Sequence, residues 1–169
     1  INRGIEELVE SIQYLSNVYL MIIGDGDVIP DLKKRVAKLK LENSIIFKRS
    51  MPYDEMMQYT QHAQLGLTLD KDTNTNYKFS LPNKLFDFIH AGTPILASKI
   101  VEVEKIIKKY QIGLFIENHE PKHIAQQIRV ALNRSKLNSK WKSNIYKAAN
   151  ELHWGIEKNI LIDLYKNIE

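Results

Sequence analysis

Apolar residues recur along this chain in two alternating rhythms. Residues 3–15, RGIEELVESIQYL, set Ile5, Leu8, Val9, Ile12 and Leu15 at helical spacing, which predicts an amphipathic helix. The next run, VYLMIIG at 18–24, is almost continuously apolar and ends in glycine, the pattern of a strand covered on both faces. Residues 30–41 return to a helical period, SIIFK at 44–48 reads as a short strand, and PYDEMMQYTQHA at 52–63 opens with the proline and acids that suit a first helical turn. LGLTL at 65–69 is a further buried strand, followed by a polar loop over 70–80. A helix from about Pro82 to His90, a strand at 94–98, a helix over 101–109 and a strand at 113–116 follow. From Pro121 onward the chain reads as helical and closes with HWGIEKNILIDLYKNI at 153–168. Strands alternating with helices predict an α/β fold, a Rossmann-like, doubly wound parallel sheet with helices on both faces. No linker interrupts the pattern, so 1–169 reads as one domain.

Ligands of such sheets bind beyond the carboxyl ends of the strands. That directs attention to the segments 24–29, 48–52, 70–82 and 98–101. Composition narrows the chemistry little: 44% hydrophobic and 26% charged residues are ordinary for a globular domain. The net charge of +4 comes from lysines spread over many helices, which favours solvated faces over a nucleic-acid stripe. A mild attraction to phosphates or to an anionic membrane surface is compatible with it. With no cysteine, disulfide and thiolate chemistry are excluded, which suits a cytoplasmic location. No apolar run approaches the roughly 20 residues of a membrane helix, and the opening Ile1-Asn2-Arg3-Gly4 reads as the interior of a longer protein.

Several motifs compete with plainer readings. GDGDVIP at 24–30 lets a ligand approach the backbone at Gly24 and Gly26, yet it is neither a dinucleotide fingerprint nor a P-loop. HEPKH at 119–123 has the letters of a zinc-protease helix, but Pro121 breaks the helix that the motif needs and should instead begin one, leaving His119 outside. No acidic metal cluster is visible. The strongest signal is NYKFSLPNKLFDFIHAGTPILAS at 76–98, a stiff polar turn running into an apolar helix. Ser80 is the expected N-cap, and the unpaired N–H groups of such a helix start attract an anion. Lys84 and Asp87, three residues apart, share a helix face. They form either a surface ion pair of about 0.2–0.5 kcal/mol or a site in which Lys84 faces phosphate and Asp87 accepts hydroxyl hydrogen bonds.

The ordered set RGIEELVESI, LMIIGDGD, IIFKRSMPYDEM, LGLTL, SLPNKLFDFIHAGTPILAS, IGLFIE and HWGIEKNILIDLYKNI resembles the C-terminal, donor-binding domain of retaining GT-B glycosyltransferases, nearest to family 4, glycosyl transferases group 1. The resemblance implies one half of a GT-B fold, lacking the N-terminal acceptor domain and the first strand, with residues 153–168 as a crossover helix. It implies a donor that is a UDP- or GDP-linked sugar, an acceptor that is a glycan or lipid-linked molecule, no cofactor and no metal. The family carries a spaced pair of glutamates before its A-G-x-P turn. Asp87 falls at the second, which binds the donor ribose, and Phe79 falls at the first, which contacts the transferred sugar; Ser80 or Asn83 would substitute there. Arg3 takes the place of a lysine that neutralises diphosphate. Gly24, Asp25 and Gly26 match a donor-side glycine turn, and Lys48 to Met51 match a segment cradling the base through its backbone, with Arg49 in place of the usual glycine. A GT-B epimerase or sugar-phosphate synthase, and a non-catalytic Rossmann-like binding module, are the rival readings.

Overall fold

The computed structural model describes residues 3–137 and 139–166. Among these residues five strands alternate with helices: α1 (Ile5–Ser11), β1 (Leu20–Ile23), α2 (Ile29–Lys38), β2 (Ile45–Lys48), α3 (Tyr53–His62), β3 (Gly66–Thr68), α4 (Thr75–Lys78), α5 (Asn83–His90), β4 (Ile95–Ser98), α6 (Val101–Tyr110) and β5 (Gly113–Ile116). Three helices end the described chain, α7 (Pro121–Leu137), α8 (Ser139–Glu151) and α9 (Trp154–Lys166). Residues 167 and 168 of the expected last helix lie outside the described residues.

The strands form two parallel ladders, β1 with β2 and β3-β4-β5 with β4 in the middle. One apolar core joins them. Val9 and Ile12 of the first helical segment, Ile22 and Ile45 of the first ladder, Leu96 and Ile116 of the second, and Ile124 and Ile128 of α7 belong to the same buried cluster. A second cluster lies on the opposite face of β4, where Ile95 and Ala97 meet Leu85 and Ile89 of α5, Val103 and Ile107 of α6 and Ile145 of α8. Alternation along β4 therefore sends Leu96 to one core and its neighbours to the other, and every residue of that strand is buried. Helices on both faces of a parallel sheet are what the rhythm of the sequence predicts.

Three expectations change in detail. The first strand is not covered on both faces: Met21 and its register partner Ile46 lie on one face and stay 39% and 41% exposed. The 70–80 segment is not all loop. It contains α4, whose start is capped by the Asn74 side chain accepting from the Tyr77 amide at 3.0 Å. Ser80 does not cap α5; its hydroxyl donates back to the Tyr77 carbonyl at 2.9 Å, and Pro82 occupies the cap position with no side-chain bond. Leu81 and Pro82 set Ser80 too far ahead of the first helical turn to reach its amides.

The Ala91-Gly92-Thr93-Pro94 turn after α5 is fixed at Gly92 and Thr93. Gly92 takes φ 74°, a left-handed conformation that suits glycine. Thr93 then donates its hydroxyl to the Thr60 carbonyl at 2.9 Å, pinning the end of α5 to α3. At the other end of the chain, Gly4 takes φ 69° and packs so close to the end of β3 that a Cβ would meet the Leu69 carbonyl oxygen at 2.4 Å.

Candidate functional site

Sequence reading placed the candidate residues at the carboxyl ends of strands, and the fold groups them there in three sets. Beyond β1 and β2, the glycine turn and the basic segment are stitched together. The Gly24 amide donates to the Lys48 carbonyl at 3.0 Å. Asp25 Oδ2 accepts from the Ser50 hydroxyl at 2.6 Å and the Ser50 amide at 3.1 Å. Those bonds, hydroxyl first, hold the Asp25 carboxyl below its ordinary range, with Arg49 and Lys33 adding positive field. Gly24, at φ 134°, and Gly26 border open space. Arg49 is exposed. The Lys48 ammonium lies 5.0 Å from the Tyr59 ring centroid and 3.3 Å from its hydroxyl, so only the backbone of Lys48 joins this turn.

Beyond β3 lies the second set. A cavity of about 380 Å³ is lined by Arg3, Asp70, Tyr77, Ser80, Asn83 and Lys84, among others. The uncapped start of α5 borders it through Asn83 and Lys84. Asp70 is its acidic centre. It is 2% exposed, and its Oδ2 lies 2.8 Å from Lys84 Nζ and accepts from the Thr68 hydroxyl at 3.2 Å. Arg3 Nε stands 3.9 Å from Oδ1. Asp70 was not among the residues singled out in sequence. Its one signal is position, a carboxylate directly after the apolar strand LGLTL.

The third set removes one of the two readings of Lys84 and Asp87. Lys84 and Asp87 share a helix but form no pair with each other. Lys84 turns to Asp70, and Asp87 Oδ1 accepts from the Tyr53 hydroxyl at 3.0 Å. A buried carboxylate attracts an ammonium more strongly than one half in water, so Lys84 reaches back to the strand end. Burial, then the bond to Asp87, raises the Tyr53 pKa. This contact sets Asp87 against the start of α3, directly after the 48–52 segment.

A second cavity of about 430 Å³ opens beyond β4 and β5 and shares Asp70 with the first. Ser98, Lys99, Glu117, Asn118 and His119 contribute to its lining. Here the HEPKH string is taken apart. His119 Nε2 lies 2.9 Å from the Leu69 carbonyl and 3.3 Å from Ser98 Oγ. His123 Nε2 accepts from the Glu117 amide at 2.9 Å, and α7 starts at Pro121. Beside this cavity Lys71 and Glu7 pair at 2.5 Å. Burial pushes the Glu7 carboxyl up, but the hydrogen bond from Lys71, with backbone and His119 contributions, outweighs it and leaves the group lowered.

The fold is that of one half of a GT-B glycosyltransferase. The model of the family described as glycosyl transferases group 1 matches residues 1–148, and the chain belongs to that family. No curated protein matches the chain in sequence. Among solved structures, sucrose-phosphate synthase from Thermosynechococcus elongatus superposes with a TM-score of 0.85 at 16% identity, over 99% of this chain and 42% of its own. HepE from Anabaena, in complex with UDP and glucose, gives 0.80 at 16% identity over 98% and 45%. The C-terminal domain of LpcC, a glycosyl transferase group 1 protein from Francisella tularensis, gives 0.70 at 18% identity over 89% and 79%. The chain thus spans less than half of the first two structures. Among the described residues, no helix is long and apolar enough to cross a membrane.

Proposed function

We propose that the chain is the donor-binding domain of a retaining glycosyltransferase that moves a sugar from a nucleoside diphosphate to a glycan or lipid-linked acceptor in the cytoplasm. The observation that carries this reading is the 380 Å³ cavity, where Arg3, Lys84 and the uncapped start of α5 converge. Two cations and a helix N-terminus are a setting for a diphosphate. They would also stabilise the charge that develops on it as the leaving group, with no metal required. Asp87, beside the start of α3, takes the ribose hydroxyls, and the Gly24–Gly26 turn with the Lys48–Met51 backbone takes the base. HepE, on which this chain superposes over 45% of its length, is in complex with UDP and glucose, which supports a nucleotide-sugar donor here.

The reading includes an acceptor domain elsewhere in the protein. It also includes a strand between β1 and β3, which form no ladder with one another among the described residues. The apolar side chains of α9 support its role as the crossover helix. Trp154, Leu161 and Leu164 are all exposed, while the side chain of Ile160 lies outside what is described.

Calorimetric titration with UDP, GDP and their sugars tests the proposal. Saturable binding that weakens about tenfold or more in Arg3→Ala is the expected result, since a charge-assisted contact contributes about 1.5–3 kcal/mol. Binding of neither diphosphate overturns it.

A further inference from the structure

Asp70 has more acceptor capacity than the protein uses. Its Oδ1 is buried and accepts no hydrogen bond among the described residues, with the Arg3 nitrogen held off at 3.9 Å. A buried carboxylate oxygen without a donor is costly, and such atoms are rare unless something else supplies the donor. Asp70 also stands where the two cavities meet, since it lines both. We propose that Asp70 binds a hydroxyl of the sugar attached to the diphosphate and thereby helps select the donor sugar. This rests on the reading above, that the 380 Å³ cavity takes the diphosphate of a nucleotide sugar.

The two cavities differ in the ligand they can accept. The first gathers Arg3, Lys84 and the start of α5 around a single carboxylate, and suits an anion. The second carries Asp70, Asp72 and Glu117 beside Lys71 and Lys99. Lys99 is already committed to Glu117 at 2.6 Å, and Lys71 to Glu7 at 2.5 Å. A second phosphate would meet Asp72 there and find both lysines already paired. A neutral ring whose hydroxyls both donate and accept would find partners in Asp70, Ser98 and Asn118. Phosphate oxygens drawing on Lys84 and Arg3 would loosen the two contacts that now face Asp70. Hydroxyl donors from a neighbouring sugar would replace them on the same carboxylate.

The test is a cycle on the intact chain, by calorimetry, with wild type and Asp70→Asn against UDP, UDP-glucose, UDP-N-acetylglucosamine, GDP and GDP-mannose. The quantity read is the affinity of each nucleotide sugar relative to its bare diphosphate, which cancels any change in the cation pair itself. For at least one sugar the ratio should fall about tenfold or more in Asp70→Asn, as loss of a hydrogen bond to a charged group does. An unchanged ratio for every sugar overturns the proposal and leaves Asp70 as a holder of Lys84 and Arg3 only. Should Asp70→Asn not fold, monodeoxy analogues of the tightest-binding nucleotide sugar decide the matter on wild type. One hydroxyl costing about tenfold supports the proposal; uniform affinity across the series overturns it. Bare diphosphates binding to a site blind to the sugar would remove this proposal alone. No binding by any probe would remove the donor-binding reading with it.

Discussion

Asp70 and Asp87 flank the same stretch of chain, and the fold treats them in opposite ways. Asp70 follows a strand, is buried, and is neutralised by Lys84 with Arg3 beyond it. Asp87 sits on the second turn of α5, half-buried, with a neutral phenol as its partner. A buried charge must be compensated in place, so Asp70 dictates where a lysine from another element points. A carboxylate partly in water needs no such partner, and Asp87 keeps acceptor capacity for a ligand. Proximity along the helix decided neither: the three-residue spacing of Lys84 and Asp87 was outweighed by the buried acid.

The largest effect that could break this comparison concerns stability. Lys84→Met leaves Asp70 buried with the Thr68 hydroxyl as its hydrogen-bond donor and Arg3 at 3.9 Å. Stripping one partner from a fully buried pair costs about 3–5 kcal/mol. Because Lys84 is 32% exposed and Arg3 stays near, we expect about 2–3 kcal/mol in a urea melt. Asp70→Asn should cost less, and the double variant Lys84→Met/Asp70→Asn should recover most of the loss, because no uncompensated charge remains. If Lys84→Met melts with wild type, the pair is only a surface contact and Asp70 is no different from Asp87.

Next in size is ligand affinity at Asp87. Asp87→Ala should weaken a nucleoside diphosphate by one to two decades, about 1.4 kcal/mol per decade, with little loss of stability. The 2′-deoxynucleotide sharpens this. It should bind wild type more weakly than the ribonucleotide, and bind Asp87→Ala as well as the ribonucleotide does. Equal cost of the deoxy change in both proteins would detach Asp87 from the ribose.

What could be read in sequence follows the same division. Helices and strands declared themselves by period, because each buries one stripe or one face. The β4 run and the α5 spacing sit where the pattern puts them, within a residue. The α4 turn was hidden because four residues show no period, although Asn74 is an N-cap of the ordinary kind. Ser80 misled for a related reason: a good capping residue was present, but the two residues after it displaced the helix start. Met21 read as buried because an apolar run does not say which face its helices cover. Asp70 was invisible because its meaning lies in residues far from it in the chain, Arg3 and Lys84, which only the crossovers bring to the end of β3. Asp87 was singled out through family resemblance, whereas its partner Tyr53 was not.

A smaller effect is expected at that partner. Tyr53→Phe deletes one hydrogen bond to the Asp87 carboxylate, but at a residue 57% exposed, where water can replace it, so stability should fall by no more than about 0.5–1 kcal/mol. Nucleotide affinity should change by less than about threefold, since hydroxyl donors of the ligand replace the phenol on Asp87. A tenfold loss would instead make Tyr53 part of the recognition surface, and the contrast with the tightly neutralised Asp70 would narrow.

The smallest effect separates a third carboxylate from both. Asp25 is exposed, yet its carboxyl is held below the ordinary aspartate range by the Ser50 hydroxyl and then the Ser50 amide. A lowered folded value means that the bond's contribution is present above the unfolded pKa and fades as pH falls through the folded one. Ser50→Ala removes the hydroxyl and leaves the amide donor. The Asp25 carboxyl should therefore move only part of the way back toward its ordinary range, read by its carbon shift in an NMR pH titration. At neutral pH the stitch between the glycine turn and the basic segment weakens, and the acid limb of the stability curve becomes slightly shallower. A titration unmoved by Ser50→Ala would mean that the Ser50 amide, with the field of Arg49 and Lys33, and not the hydroxyl, sets the charge on Asp25.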